Sequence, residues 1–320
     1  MTFAPPAGAL LESGRPFRLT TSDHIGLRAV IWPQPDTKAK GTIVILPGRT
    51  EYCEKYARVA ADLNAQGYAV SALDWRGQGL SQRLLPDPRK GHVESFGDYQ
   101  KDMTVYLALL ESQNLPRPWF MLAHSMGGCI GLRALESDHP FKAAIFSAPM
   151  WDIIIPEGGP KRPERILSLA CRMGLGSRYA PPPAPRDVSL IEDDLFEGNP
   201  LTQDRPTWDW LRAHLHGNPQ LTLAGPTVRW LLEALTECKA LSLRPSPALP
   251  CLTTLGTEES IVSPKAIHDR INRWPLARLV TLPQCQHEAM MEIPTIRASF
   301  FAQLNSFLDQ KRADPHHPAL

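Results

Sequence analysis

The stretch Phe120-Met121-Leu122-Ala123-His124-Ser125-Met126-Gly127-Gly128 constrains the fold more than any other. An apolar run ends on a serine and passes at once, through two glycines, into a helix-forming segment. A strand that reverses into a helix over so few residues needs a tight turn, and a serine at its tip projects its hydroxyl out of the sheet. Small residues two positions to either side let strand and helix approach closely. Gly127 fits that need, and Ala123 stands where a glycine is usual. Ser125 is therefore a candidate nucleophile. The bland alternative is a buried serine before a Gly-Gly helix start.

The segments around this turn define the sheet. Thr42 to Leu46, Tyr68 to Leu73 and Ala143 to Phe146 are continuous apolar runs, as expected of strands buried on both faces. Between them, residues 52–66 carry Tyr56, Val59, Ala60 and Leu63 at helical spacing, and a second helix is expected from about Phe96 to Glu111. Phe17 to Thr20 and Ile25 to Trp32, joined at Ser22-Asp23-His24, predict a hairpin. After Trp151 the pattern breaks into helices and proline-rich loops until about Leu241. Many of the 32 prolines fall there, between Pro156 and Pro226. Alternation resumes with a strand at Cys251 to Gly256, a helix near Pro264 to Asn272, a strand at Arg278 to Leu282 and a helix from Ile296 to Leu308. The expected class is α/β, with a mainly parallel, doubly wound sheet interrupted after its sixth parallel-type strand by a helical insertion. The expected divisions are a first core segment at 1–152, a helical cap at 153–241, a second core segment at 242–312 and a disordered tail at 313–320.

Composition excludes several functions. With 34 basic and 33 acidic residues the formal net charge is +1, which argues against a broad nucleic-acid footprint and against electrostatic docking to anionic lipid. No run of uncharged apolar residues is long enough to span a bilayer. The N-terminal Met1-Thr2-Phe3-Ala4-Pro5-Pro6 has neither a basic start nor an apolar core for export, so the expected location is cytoplasmic, or peripheral on the inner face of the membrane. Six scattered cysteines read as reduced thiols, including Cys285, which reads as a packed thiol rather than a nucleophile.

A serine nucleophile needs a base, and the base an orienting acid. In a sheet of this type they follow later strands in the order serine, acid, histidine. The last strand leads into Pro283-Gln284-Cys285-Gln286-His287-Glu288, and of ten histidines only His287 falls between the last strand and the last helix. The acid should follow the preceding strand, in Gly256-Thr257-Glu258-Glu259-Ser260-Ile261-Val262. Glu259 is preferred, with Glu258 and Asp152 as alternatives. The oxyanion donors are expected to be the backbone N–H groups of Met126 and Arg49, with Gly48 permitting an unusual backbone angle beside the latter. Glu51 is expected to pin that loop by hydrogen bonds, and Asp74 and Arg76 to hold a structural turn.

No cofactor and no metal are expected. Gly77-x-Gly79 lacks the third glycine of a dinucleotide fingerprint, and Met291 stands where a zinc-protease motif starting at His287-Glu288 needs a second histidine.

Pro47-Gly48-Arg49-Thr50-Glu51-Tyr52 with Lys55-Tyr56, Asp74-Trp75-Arg76-Gly77-Gln78-Gly79-Leu80-Ser81, Gly91-His92-Val93 and His124 to Gly128 form one series of motifs. Asn199-Pro200-Leu201-Thr202, Gly256 to Val262 and His287-Glu288 complete it. Over about residues 20–310 the chain resembles the monoacylglycerol lipase/lysophospholipase branch of the α/β-hydrolases. Its Pro-Gly-Arg-x-Glu loop is similar to that of bacterial lysophospholipases rather than the His-Gly loop of animal monoacylglycerol lipases. The resemblance implies cofactor-free hydrolysis of a single-chain acyl ester, with Glu259 where the family has aspartate. Apolar helical faces in the cap, such as Ile166, Leu167, Ala170 and Met173, either line an acyl slot or pack onto the core. The expected partners are a small-molecule lipid ester and, transiently, a membrane surface met through the cap. No nucleic acid is expected, and the oligomeric state is left open. A general carboxylesterase or acyltransferase would use the same triad. A cofactor-free haloperoxidase or a non-catalytic binding module shares the fold.

Overall fold

The computed structural model describes residues 14–34, 39–155, 159–160, 162–180, 191 and 196–313. Eight strands form one sheet. β1 (Arg15–Thr20) and β2 (Gly26–Trp32) make the expected hairpin, and β2 runs antiparallel to β4 (Ala69–Asp74). All further pairings are parallel: β4 with β3 (Thr42–Leu46), β3 with β5 (Trp119–His124), then β6 (Phe141–Ser147), β7 (Cys251–Gly256) and β8 (Ala277–Leu282). The order is β1-β2-β4-β3-β5-β6-β7-β8. This corrects one expectation. β6 is the sixth strand of the chain but only the fourth of the parallel set, after β3, β4 and β5, because the two opening strands pair only antiparallel, β1 with β2 and β2 with β4.

Strands β3, β4, β5 and β7 are buried along their whole length, whereas β8 is a half-exposed edge. Successive side chains of a strand point to opposite faces, and β5 serves both layers in this way. Phe120 and Leu122 pack with α1 (Ala57–Ala65) and α8 (Pro294–Ala313), through Val59, Leu63, Phe300 and Leu304. Met121 and Ala123 face α2 (Asp98–Ser112), α3 (Met126–Ala134) and α7 (Pro264–Ile271), through Tyr106, Ile130 and Ile267. The helix expected to begin at residue 52 opens instead as a 3-10 turn at Cys53–Tyr56 before becoming α1.

Between β6 and β7 lie α4 (Pro163–Arg172), α5 (Arg205–Gly217) and α6 (Val228–Ser242), and no strand of the sheet among the described residues. Asp204 and Thr227 cap α5 and α6 by accepting from Thr207 N and Trp230 N. Most of the apolar faces here serve packing. Trp230, Ala234, Cys238 and Leu241 of α6 enter the main core, Trp208, Leu211 and Leu215 of α5 pack with Tyr52, and Leu167 of α4 meets Val228 and Leu235. The expected tail begins one residue too early, since α8 runs through Ala313, and 314–320 lie outside the described residues.

Candidate active site

Ser125 sits between β5 and α3 with φ 49° and ψ −118°. This left-handed backbone costs a non-glycine residue on the order of 1–3 kcal/mol, so the surroundings must enforce it. They do so through the main chain. Ser125 N donates to Ser147 O (3.2 Å), and Ser125 O accepts from Gly128 N (2.8 Å) and Met150 N (2.9 Å). A Cβ on Gly127 would lie 2.1 Å from Leu46 O, so only glycine lets α3 start this close to β3. Ala123 is fully buried, in register with Leu46 and Phe146, so its methyl group fits where the turn usually has glycine.

His287 Nδ1 donates to Glu259 Oε2 at 2.7 Å. Glu259 Oε1 accepts from Ile261 N (2.7 Å) and Val262 N (3.0 Å), so both carboxylate oxygens are committed. Burial pushes the Glu259 carboxyl up, but His287 and the two backbone donors outweigh it and hold the group below its usual range. With Nδ1 donating, Nε2 of His287 is left as the acceptor. The loop approaches β7 because Gly256 has no Cβ; one would lie 2.1 Å from Cys285 O. The motif at Asn199 steadies it from the other side: His287 N donates to Pro200 O (3.2 Å) and Glu288 N to Leu201 O (2.9 Å). Asn199 Oδ1 accepts from the N–H groups of Leu201 and Thr202.

The two alternative acids lie elsewhere. Glu258 is exposed and accepts from Thr257 Oγ1, and Asp152 is exposed and accepts from Ile153 N. The His287 ring lies 4.8 Å from that of His124, the residue before Ser125, which brings the imidazole to the mouth of β5. Ser125 and His287 are only 8% and 4% exposed. Burial raises the Cys285 thiol to about 12, leaving it protonated at neutral pH.

The loop after β3 lies against the serine. A Cβ on Gly48 would stand 3.1 Å from Ser125 Cβ and 3.2 Å from His124 Cδ2. Here the expectation for Gly48 is corrected: its glycine is needed for space, and the left-handed angle falls instead on Thr50, at φ 66°. Trp75 Nε1 donates to Pro47 O (2.8 Å), while Gln78 donates to Gly48 O (3.0 Å) and accepts from Thr50 N (3.2 Å). Asp74 holds the turn that carries them, accepting from Cys53 N and Leu80 N, both at 2.8 Å. Arg76 pairs with Asp23 and Asp102. Neither Arg49 N nor Met126 N donates to another group among the described residues.

Glu51 pins its loop by hydrogen bonds as expected, but the buried ion group it belongs to was invisible in the sequence. Glu51 accepts from Gly48 N and from Tyr56 Oη, and Lys55 Nζ joins Glu51 (2.9 Å) to Glu288 (2.6 Å). His124 Nε2 stands 4.0 Å from Glu51, and its Nδ1 donates to Ser147 O (2.9 Å). Burial lowers the His124 pKa, so the ring is neutral at pH 7. This buried group ties the loop after β3, the nucleophile strand and the histidine loop together. Ligand atoms of Glu51, His124 and Glu288 lie within 4.8 Å of one another, but the cation already between the two carboxylates is Lys55.

Burial would raise the Glu51 carboxyl, yet Lys55, His124 and the Tyr56 hydrogen bond hold it at about 2, below its ordinary 4.5. Its stabilising contribution is complete above pH 4.5 and disappears as the pH falls toward 2. Glu51→Gln is therefore expected to lower stability at pH 7 by about 3 kcal/mol, by leaving Lys55 short of a counter-charge. The deficit relative to wild type should shrink through that acid window. Urea midpoints at stepped pH measure it.

A family profile, serine aminopeptidase S33, matches residues 37–294. The chain is 30% identical over 278 residues to a probable lysophospholipase L2 of Haemophilus influenzae, covering 86% of each. It is 35% identical over 239 residues to lysophospholipase L2 of Escherichia coli K12, covering 71% of this chain and 66% of that protein. In structure it is similar to a soluble variant of monoglyceride lipase from Saccharomyces cerevisiae in complex with a substrate analog. That match has a TM-score of 0.74 and 18% identity, over 97% of this chain and 99% of the other. With an elbow serine, a mainly parallel eight-stranded sheet and a family match over most of its length, this chain is an α/β-hydrolase belonging to the serine aminopeptidase S33 family.

Proposed function

We propose that the protein hydrolyses carboxylic esters of single-chain lipids, lysophospholipids or monoacylglycerols, through an acyl-enzyme on Ser125. The observation that carries this reading is the Glu259–His287 pair, brought to the end of the strand that presents a strained serine. Nε2 of His287 takes the Ser125 proton as Oγ attacks the ester carbonyl. The tetrahedral oxyanion is held by the Arg49 and Met126 N–H groups, which have no other acceptor among the described residues. His287 then protonates the leaving alcohol and activates a water that releases the fatty acid. Glu259 fixes the imidazole tautomer throughout. The names of the relatives, lysophospholipase L2 and monoglyceride lipase, support the substrate class.

An aminopeptidase of the same family would need a free carboxylate for the substrate ammonium. The acids gathered here, Glu51, Glu288 and Glu259, already serve Lys55 and His287. Turnover of monoacylglycerols, lysophospholipids and short water-soluble esters of stepped chain length tests the reading. A preference for the short esters would make the protein a general carboxylesterase.

The segment 153–241 acts in this reading as the cap over Ser125, and one face of it meets lipid. Among the described residues no helix is long and apolar enough to cross a membrane. However, α4 and the Met173 that caps its C-terminus expose Ile166, Leu169 and Met173 by 58%, 59% and 67%, flanked by exposed Arg162, Arg165, Arg172 and Arg178. An apolar stripe bordered by arginines suits the surface of an anionic bilayer, a local feature that the near-zero net charge of the chain conceals. The combined Ile166→Ser, Leu169→Ser and Met173→Ser variant is expected to lower co-sedimentation with phosphatidylglycerol vesicles at least about tenfold. Unchanged sedimentation would remove α4 from the membrane contact.

A further inference from the structure

The loop that supplies an oxyanion donor also carries a charge that the ester chemistry leaves unused. The half-buried Arg49 guanidinium donates from Nη1 to Ala224 O at 2.8 Å and lies over the Trp230 ring, 5.6 Å from its centroid. Among the described residues it forms no ion pair. Three cations more deeply buried than Arg49 are neutralised: Arg28 by Glu54 and Asp74, Arg76 by Asp23 and Asp102, Lys55 by Glu51 and Glu288. Arg270, which also lacks a carboxylate, spends its donors on Leu241 O, Arg244 O, Pro245 O and Ser246 Oγ at the end of α6. Arg49 has five guanidinium N–H donors and, among the described residues, a single acceptor for them.

Burial pulls the Arg49 pKa down to about 10, so the side chain remains cationic at neutral pH. A partly desolvated cation with open donors is completed most favourably by an anion. The position tells which anion. Gly48, the preceding residue, lies so close to Ser125 that a Cβ on it would stand 3.1 Å from the serine Cβ, and the guanidinium meets the seam where residues 89–91 are zipped to 224–226. A Cβ on Gly91 would lie 3.2 Å from Arg49 Nη1, so the guanidinium packs against that residue more closely than a larger side chain would readily allow. The backbone N–H and guanidinium of one residue are at most one side-chain length apart. In a single-chain glycerophospholipid the ester carbonyl and the phosphate are separated by a comparable span, the glyceryl unit. A monoacylglycerol has only a hydroxyl at that distance.

We propose that the Arg49 guanidinium binds the phosphodiester anion of a single-chain glycerophospholipid while its own backbone N–H serves the ester carbonyl, making Arg49 the residue that selects phosphate-bearing substrates. This rests on the ester-hydrolase reading of Ser125. A guanidinium fork matches two phosphate oxygens at once, whereas an ammonium offers only a point charge.

The test is the ratio of kcat/KM for lysophosphatidylethanolamine to that for monoacylglycerol of the same acyl chain, in wild type, Arg49→Lys and Arg49→Gln. Arg49→Gln is expected to lower the ratio about 10- to 100-fold, the worth of one charge-assisted contact, and Arg49→Lys to lower it less. Damage to the oxyanion loop falls on both substrates and cancels in the ratio. A ratio unchanged in Arg49→Gln would overturn the proposal. So would inhibition of the neutral reaction by inorganic phosphate that persists in Arg49→Gln, since the phosphate site would then lie elsewhere. A wild-type protein that cleaves neither ester and resists fluorophosphonate labelling would instead sink the ester-hydrolase reading, and this proposal with it.

Discussion

Ser125→Ala is expected to abolish ester turnover, by about 10⁶ in kcat, the loss seen when the nucleophile of a serine-hydrolase triad is removed. Labelling by a fluorophosphonate should vanish with it. The fold should survive, because the bonds that hold residue 125 at φ 49° are made by its main chain, to Ser147 O and from Gly128 N and Met150 N. Alanine keeps all three and has the same Cβ. Circular dichroism and thermal unfolding, run beside the rate assay, separate lost chemistry from lost structure. Hydrolysis at the wild-type rate in a folded Ser125→Ala protein would end the nucleophile assignment.

Glu259→Gln carries the second largest expected effect, about 10⁴ in kcat, as for the equivalent amide substitution in a serine-protease triad. The carboxylate accepts from His287 Nδ1 on one oxygen and from Ile261 N and Val262 N on the other. An amide has one acceptor and one donor, so in either orientation an N–H₂ faces a donor. Facing His287, it favours the tautomer that leaves no lone pair on Nε2 for the serine proton. Because His287 and the backbone donors hold Glu259 below its usual carboxyl range, the loss should persist throughout neutral pH. Glu258→Gln and Asp152→Asn, at exposed positions away from the imidazole, should stay within a few-fold of wild type. An equal loss in either would move the acid to that position.

Much of the architecture was legible because the rules behind it are local. Buried strands announce themselves as short β-branched runs, and the elbow as an apolar run ending on Ser125 with Gly127 behind it. The glycines proved to mark close approaches, to Leu46 O at Gly127 and to Cys285 O at Gly256. The positions of Glu259 and His287 followed from strand order, since loops after neighbouring parallel strands open on the same edge of the sheet. Strand direction is not local. That β2 runs against β4 depends on a pairing across about forty residues, and the apolar pattern of a buried strand is the same either way.

By itself, then, the sequence determined the α/β alternation, the elbow, the placing of Ser125, Glu259 and His287 after successive strands, and the motif loops around them. Only the tertiary structure decided which charges meet. Lys55 and Glu288 are 233 positions apart and form one buried ion group with Glu51, and no spacing rule links them. It also decided that Glu259 rather than Glu258 turns toward His287, that Thr50 rather than Gly48 takes the left-handed angle, and that α4 leaves an apolar face to solvent. The same holds for Arg49, whose guanidinium finds, among the described residues, one acceptor, a carbonyl from 175 positions away. The reason is common to all of them. Periodicity and turn chemistry act over a few bonds, whereas desolvation and ion pairing depend on what the folded chain brings within a few ångströms of a group.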